Sequence, residues 1–327
     1  MNDHRRDRLF DRYGSWLPGS AEYETVHRRA GASLRYYAPA TRQTSRLAST
    51  PLVVVPPLGV DPRIYDQRHG QSLIAYFSAR GFDLYLIDWG RPTRSDDRRH
   101  LADYFASLLP EMLNRVRFHS GTNALCLHGW QLGGVLALCC AALSDPADID
   151  RLVLLDTPLD YHAPIPGERR RAVWQRADYW QRHTHLRAGR LPKTLMHVPG
   201  WLQARLHQWT DRQLLSAEQE RLIYSRAYPG GVVADIVDYL WADNVLAAGK
   251  LPMANARSTL AAVRAPVLYL CDRDRPKCSQ RCTTRLAESV SSAAITAEWL
   301  HADADAGIGG ALLSRDIWDR TADWLLE

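Results

Sequence analysis

No stretch of the 327-residue chain stays apolar for the roughly 20 residues that a helix needs to cross a bilayer. The N-terminus, MNDHRRDRLFDRYG, lacks the apolar core of a secretory signal, so a cytoplasmic location is the expectation. Cysteine is sparse. The six present (Cys126, Cys139, Cys140, Cys271, Cys278 and Cys282) lie mostly in apolar runs, which points to reduced thiols and away from a disulfide framework. Cys278 and Cys282 have C-x3-C spacing, but no second Cys/His pair at ligand spacing follows nearby, so no metal and no cofactor are expected. An excess of one charge is also missing. The net charge of +5 is too mild to suggest a nucleic-acid partner. Internal repeats and low-complexity linkers are absent, which excludes solenoids and tethered modules.

What is present is a rhythm. A polar arm with strand-like pieces (residues 1–50) leads to PLVVVPPLG (51–59), a short β-branched run stopped by Pro-Pro and Gly, as in a buried strand. SLIAYFSARG (72–81) has helical spacing with a Gly stop, and FDLYLIDWG (82–90) is again a strand. LADYFASLLPEMLNRVRFHSG (101–121) reads as an amphipathic helix that tolerates one proline. NALCLHG, GGVLALCCAALSD and IDRLVLLDTP then continue strand, helix, strand. Such alternation with short turns means right-handed crossovers and an α/β fold, a mostly parallel sheet with helices on both faces.

The rhythm breaks near residue 162 and resumes with APVLYLCDRD (265–274), a helix around 279–290, AITAEWLHAD (294–303) and the last helix RDIWDRTADWLLE. The expected organisation is an arm (1–50), a core in two pieces (51–162 and 256–327) and an inserted helical cap (163–255). Between Ala163 and Gly230 twelve Lys/Arg stand against five Asp/Glu, and four tryptophans (Trp174, Trp180, Trp201, Trp209) share the stretch. A basic, aromatic segment suits an anionic partner or an acyl chain. A solvated helical face over packed tryptophans suits it equally.

The segment LHGWQLGGV (127–135) carries the frame of a nucleophile elbow: an apolar strand, then Gly-x-(nucleophile)-x-Gly, then a helix. Small residues let the backbones approach there, and the N–H groups of the following helix face a developing oxyanion. Gly129, Gly133 and Gly134 supply the frame, but the central position holds Gln131. Carboxamides have no ionisable nucleophile near neutral pH.

Five segments in order, LYLIDWGRPTRSD, LHGWQLGGVLALCCAAL, LVLLDTPLDY, WADNVLAAGKL and APVLYLCDRDRPKCS, resemble the catalytic subunit of class III polyhydroxyalkanoate synthases, from about residue 20 to the end. The resemblance implies an α/β-hydrolase fold. It also implies a site in which an elbow cysteine carries the growing hydroxyacyl chain as a thioester, with an aspartate and a histidine following in the chain. Matched residue by residue, the cysteine falls on Gln131 and the aspartate on Asp274, with Asp272 its neighbour. The histidine falls on Gly307, in DADAGIGG before Ile308 and Gly309. The acid position is retained and both acyl-transfer groups are replaced. His301, six residues earlier, is the one nearby candidate for a displaced base. The implied oxyanion and binding positions are Leu132, Leu58, Gly59 and Trp130. Cys126, Cys139 and Cys140 are expected to be buried and inert, and His128 to be a packed strand-end residue.

Three readings follow. The first is a non-catalytic synthase paralogue, acting by binding or assembly with a synthase subunit, with itself through the cap, or at the polymer granule. The second is an active acyltransferase or hydrolase with a displaced site at His301 and Asp274. The third is a module binding acyl or hydroxyacyl-CoA ligands, whose phosphates would meet GERRRAVWQR (167–176).

Overall fold

A computed structural model describes residues 21–40, 50–67, 72–163, 228–273, 278–301 and 310–327. Its eight strands are β1 (Glu24–Arg29), β2 (Ala32–Tyr37), β3 (Leu52–Val55), β4 (Leu84–Asp88), β5 (Leu125–Trp130), β6 (Ile149–Leu155), β7 (Val267–Asp272) and β8 (Ile295–Leu300). They form one sheet in the order β1-β2-β4-β3-β5-β6-β7-β8. Strand β2 pairs antiparallel with β1 and β4, and every other pairing is parallel. The short apolar runs that read as buried strands are buried along their whole length in β3, β4, β5 and β7. A parallel sheet needs this, because helices cover both of its faces.

The helices are α1 (Leu73–Ala79), α2 (Leu109–Ser120), α3 (Leu132–Ala141), α4 (Gly230–Asp235), α5 (Gln280–Ser289), α6 (Gly310–Leu313) and α7 (Arg315–Leu326). Side chains alternate along each strand between two cores. Leu125 and Leu127 of β5 face the core shared with α2, α3 and α5, whereas Cys126 and Trp130 face the one shared with α1, α6 and α7.

The proline-containing helix is resolved by a change of hydrogen-bond register. Residues Leu101–Asp103 are α-helical, Tyr104–Leu108 form a π turn, and α2 resumes with Pro110 in its first turn. Proline has no N–H to donate and is tolerated at a helix start, so the wider turn before it absorbs the mismatch.

Residues 164–227 lie outside the described set, with the basic segment and its four tryptophans. The chain re-enters as α4, the π turn Ile236–Ala242 and the 3-10 turn Val245–Ala248. Asp235 anchors this stretch, accepting from the Leu101 N–H at 2.7 Å and pairing with His100 Nδ1 at 2.9 Å. Asn244, in a left-handed conformation, accepts from the Tyr161 N–H and donates to Asp160, each at 2.9 Å. The loop after β6 is thereby tied to residues 241–244.

The tightest packing lies where α3 leaves β5. A Cβ on Gly129 would overlap the Gly134 backbone, one on Gly133 the Val55 carbonyl and Pro56, and one on Gly134 the Thr157 hydroxyl. Three backbone segments therefore meet without side chains between them. Gly133→Ala is expected to destabilise the fold by at least about 3 kcal/mol, because a backbone carbonyl cannot step aside. Gly121→Ala, at a left-handed helix end with open space around it, is expected to cost about 1–2 kcal/mol. Urea unfolding of the two variants measures the difference.

Candidate functional site

Gln131 stands between β5 and α3 with φ 48° and ψ −120°. L-residues with side chains avoid that region, and holding one there costs on the order of 1–3 kcal/mol. The surroundings over-determine it. Its N–H donates to the Leu155 carbonyl at 2.8 Å, and its carbonyl accepts from Gly134 and Val135 at 3.0 and 3.2 Å. This strained strand-to-helix turn is the geometry of a nucleophile elbow, built around a half-buried glutamine.

The implied oxyanion positions stand at the same end of the sheet. Val55 of β3 is paired with Gly129 of β5, so the segments after the two strands emerge side by side, and Pro56 lies against Gly133. Leu58 is buried, Gly59 takes φ 85°, and the Trp89 indole holds the turn by donating to the Pro56 carbonyl at 2.8 Å. Leu132 opens α3, where a backbone N–H has no intrahelical partner. Trp130 is turned into the core under α1 and α7, and its indole N–H has no hydrogen-bond partner among the described residues.

Asp274 and Gly307 lie outside the described residues. Asp272, the neighbouring candidate, is buried in β7, and its N–H donates to Asp156 Oδ1 at 3.1 Å. His301 is exposed just beyond β8, the edge strand, with β6 and β7 between that strand and β5. That is about 14 Å across the sheet at the usual strand spacing. Cys126, Cys139 and Cys140 are buried as expected. Burial pushes all three thiols up, Cys140 to about 12, so none supplies a thiolate near the elbow.

Comparison with known proteins agrees with this geometry. A sequence model of the alpha/beta hydrolase family matches residues 52–314. The chain belongs to that family. Among curated proteins it is similar to the poly(3-hydroxyalkanoate) polymerase subunit PhaC of a Synechocystis species, 34% identical over 114 residues, which cover 35% of this chain and 30% of the relative. It is also similar to the PhaC subunit of Allochromatium vinosum, 33% identical over 114 residues, covering 35% of this chain and 32% of that one. The matched stretches thus span about a third of those relatives. Among solved structures, the carboxylesterase CesB from Bacillus subtilis superposes with TM-score 0.52 at 15% identity, covering 99% of this chain and 96% of that one. A soluble variant of the Saccharomyces cerevisiae monoglyceride lipase gives 0.53 at 11%, covering 94% and 95%. At such identities the likeness is one of fold. No described helix is long and apolar enough to cross a membrane.

His128, on β5 three residues before the elbow, titrates according to its setting. It is buried, its Nδ1 has no partner among the described residues, and burial lowers its pKa to about 4. The ring is neutral in the fold and gains a proton more readily when the chain unfolds, near pH 6.5. Its contribution is complete above that value and is lost as pH falls towards 4, by about 3 kcal/mol in all. His128→Gln is expected to flatten the dependence of Tm on pH between 7 and 5. An unchanged slope contradicts a buried neutral ring. Gln131→Gly, which removes the Cβ from the strained turn, is expected to raise stability by about 1 kcal/mol after the entropy cost of glycine. Chemical denaturation reads that gain directly.

Proposed function

We propose that this chain is a non-catalytic member of the polyhydroxyalkanoate synthase-like hydrolases, which keeps the acyl-binding end of the sheet and acts by binding or assembly. The observation that carries the reading is Gln131 at φ 48° in the elbow turn. A carboxamide there neither ionises nor leaves, so it cannot form or pass on a thioester. What it can do is donate its amide N–H to a carbonyl or carboxylate beside the first-turn N–H of Leu132. The local identity to PhaC subunits supports hydroxyacyl-CoA or its polymer as the ligand class, and a genuine synthase subunit or a second copy of this chain as the partner.

Release of free thiol from 3-hydroxybutyryl-CoA tests this. The purified protein is expected to be silent alone and to change the lag or rate of an added synthase, with some turnover appearing in Gln131→Cys/Gly307→His. Wild-type release above background that ignores substitution at Gln131 overturns the reading and requires a second nucleophile or an activated water.

A further inference from the structure

Beneath the loop that leads away from the elbow, on the α3 side of the sheet, four chemistry-bearing side chains meet that the proposed function does not use. Asp156 follows β6 at φ 47°, Cys271 lies near the end of β7, and Cys278 and Cys282 bracket the start of α5. All four are buried. The ligand atoms of Asp156, Cys271 and Cys278 lie within 4.8 Å of one another. Cys271 Sγ is 2.8 Å from Cys278 Sγ, and Cys282, in the first turn of α5, accepts from the Leu159 N–H at 3.4 Å. Around them stands an ordered polar shell. The Tyr269 hydroxyl contacts Cys278 Sγ at 3.2 Å and the Thr157 carbonyl at 2.6 Å, and Asp156 accepts from the Asp272 N–H.

We infer that Asp156, Cys271, Cys278 and Cys282 form a structural site for a thiophilic divalent cation of the zinc class. Two sulfurs and one carboxylate oxygen within mutual reach are three of the four donors of a tetrahedral zinc site, and Cys282 at the start of α5 supplies the fourth by turning inward when the cation binds. The ligands come from three segments, the ends of β6 and β7 and the first turn of α5, which is typical of a site that fastens elements together. The helix terminus adds its N–H dipoles to sulfurs carrying negative charge. Binding is a ligand exchange without oxidation: three S–H bonds break, three metal–sulfur bonds form, and three protons pass to solvent. A disulfide between Cys271 and Cys278 is the other chemistry this geometry permits, and because it consumes two of the sulfurs the two states exclude one another. Spacing along the chain offers no second ligand pair beside Cys278 and Cys282. Here the missing partners arrive from neighbouring strands.

Titration of the reduced full chain with Co2+ tests the inference. One equivalent is expected to bind, with a thiolate-to-cobalt charge-transfer band and tetrahedral d–d bands, to be displaced by Zn2+, and to raise Tm. Cys278→Ser is expected to lose most of the band, and Asp156→Asn to keep the thiolate band while binding more weakly. If the variants fold poorly, metal content and free-thiol count of wild type still decide: one bound zinc that protects three thiols from alkylation until chelator is added supports the site. Absence of stoichiometric uptake by reduced wild type overturns it, as does a Cys271–Cys278 disulfide that persists when the protein is isolated without reductant and without metal.

Discussion

The rest of the structure depends on one close approach, that of the first turn of α3 to the ends of β3 and β6. Gly133 lies on the Val55 carbonyl, Gly134 on the Thr157 hydroxyl, and Gly129 on Gly134 itself, with no room for a Cβ at any of the three. This contact sets how closely α3 sits on the sheet. It also fixes where the turn at residue 131 points and brings the loop after β3 beside the helix N-terminus. Burial of strands on both sides then follows, because the nearly continuous apolar runs of β3, β5 and β7 have no solvent face to offer.

Much of that was legible in the residues. The alternation of short β-branched runs with helical spacing located the strands, and the glycines of LHGWQLGGV located the elbow, because such packing can be built only from glycine. The register change before Pro110 was not legible, since periodicity cannot distinguish a π turn from an α turn in an apolar helix. The cluster of Asp156 and three cysteines was also hidden. Parallel crossovers bring together the ends of strands that are more than a hundred residues apart, as Leu155 and Leu270 are. Spacing along the chain says nothing of such neighbours. His128 was expected to be a packed strand-end histidine, and it is buried. Its unpartnered nitrogen follows from facing the apolar layer under α7, which alternation implies only once the two faces are known.

The turn at Gln131 separates fold from chemistry. Its strained conformation is held by backbone hydrogen bonds to Leu155, Gly134 and Val135, none of which involves the side chain. The conformation therefore persists whatever residue occupies the position, and a nucleophile is not needed to maintain it. An elbow is thus good support for a hydrolase fold and weak support for hydrolase chemistry, which resides in the side chains placed on that frame.

The elbow and the thiol cluster are joined through one residue. Thr157 presents its side chain to Gly134 at the start of α3, while its carbonyl accepts from Tyr269, whose hydroxyl also touches Cys278. A cation drawn among Asp156, Cys271, Cys278 and Cys282 would pull on both neighbours of this residue in space, Asp156 through the chain and Tyr269 through the hydrogen bond. Well-packed interiors transmit such displacements because they have no slack to absorb them. The Thr157 side chain limits how closely α3 packs on the end of β6. The chain of contacts from Cys278 through Tyr269 and Thr157 to Gly134 thus links the thiol cluster to the start of the helix that carries the elbow.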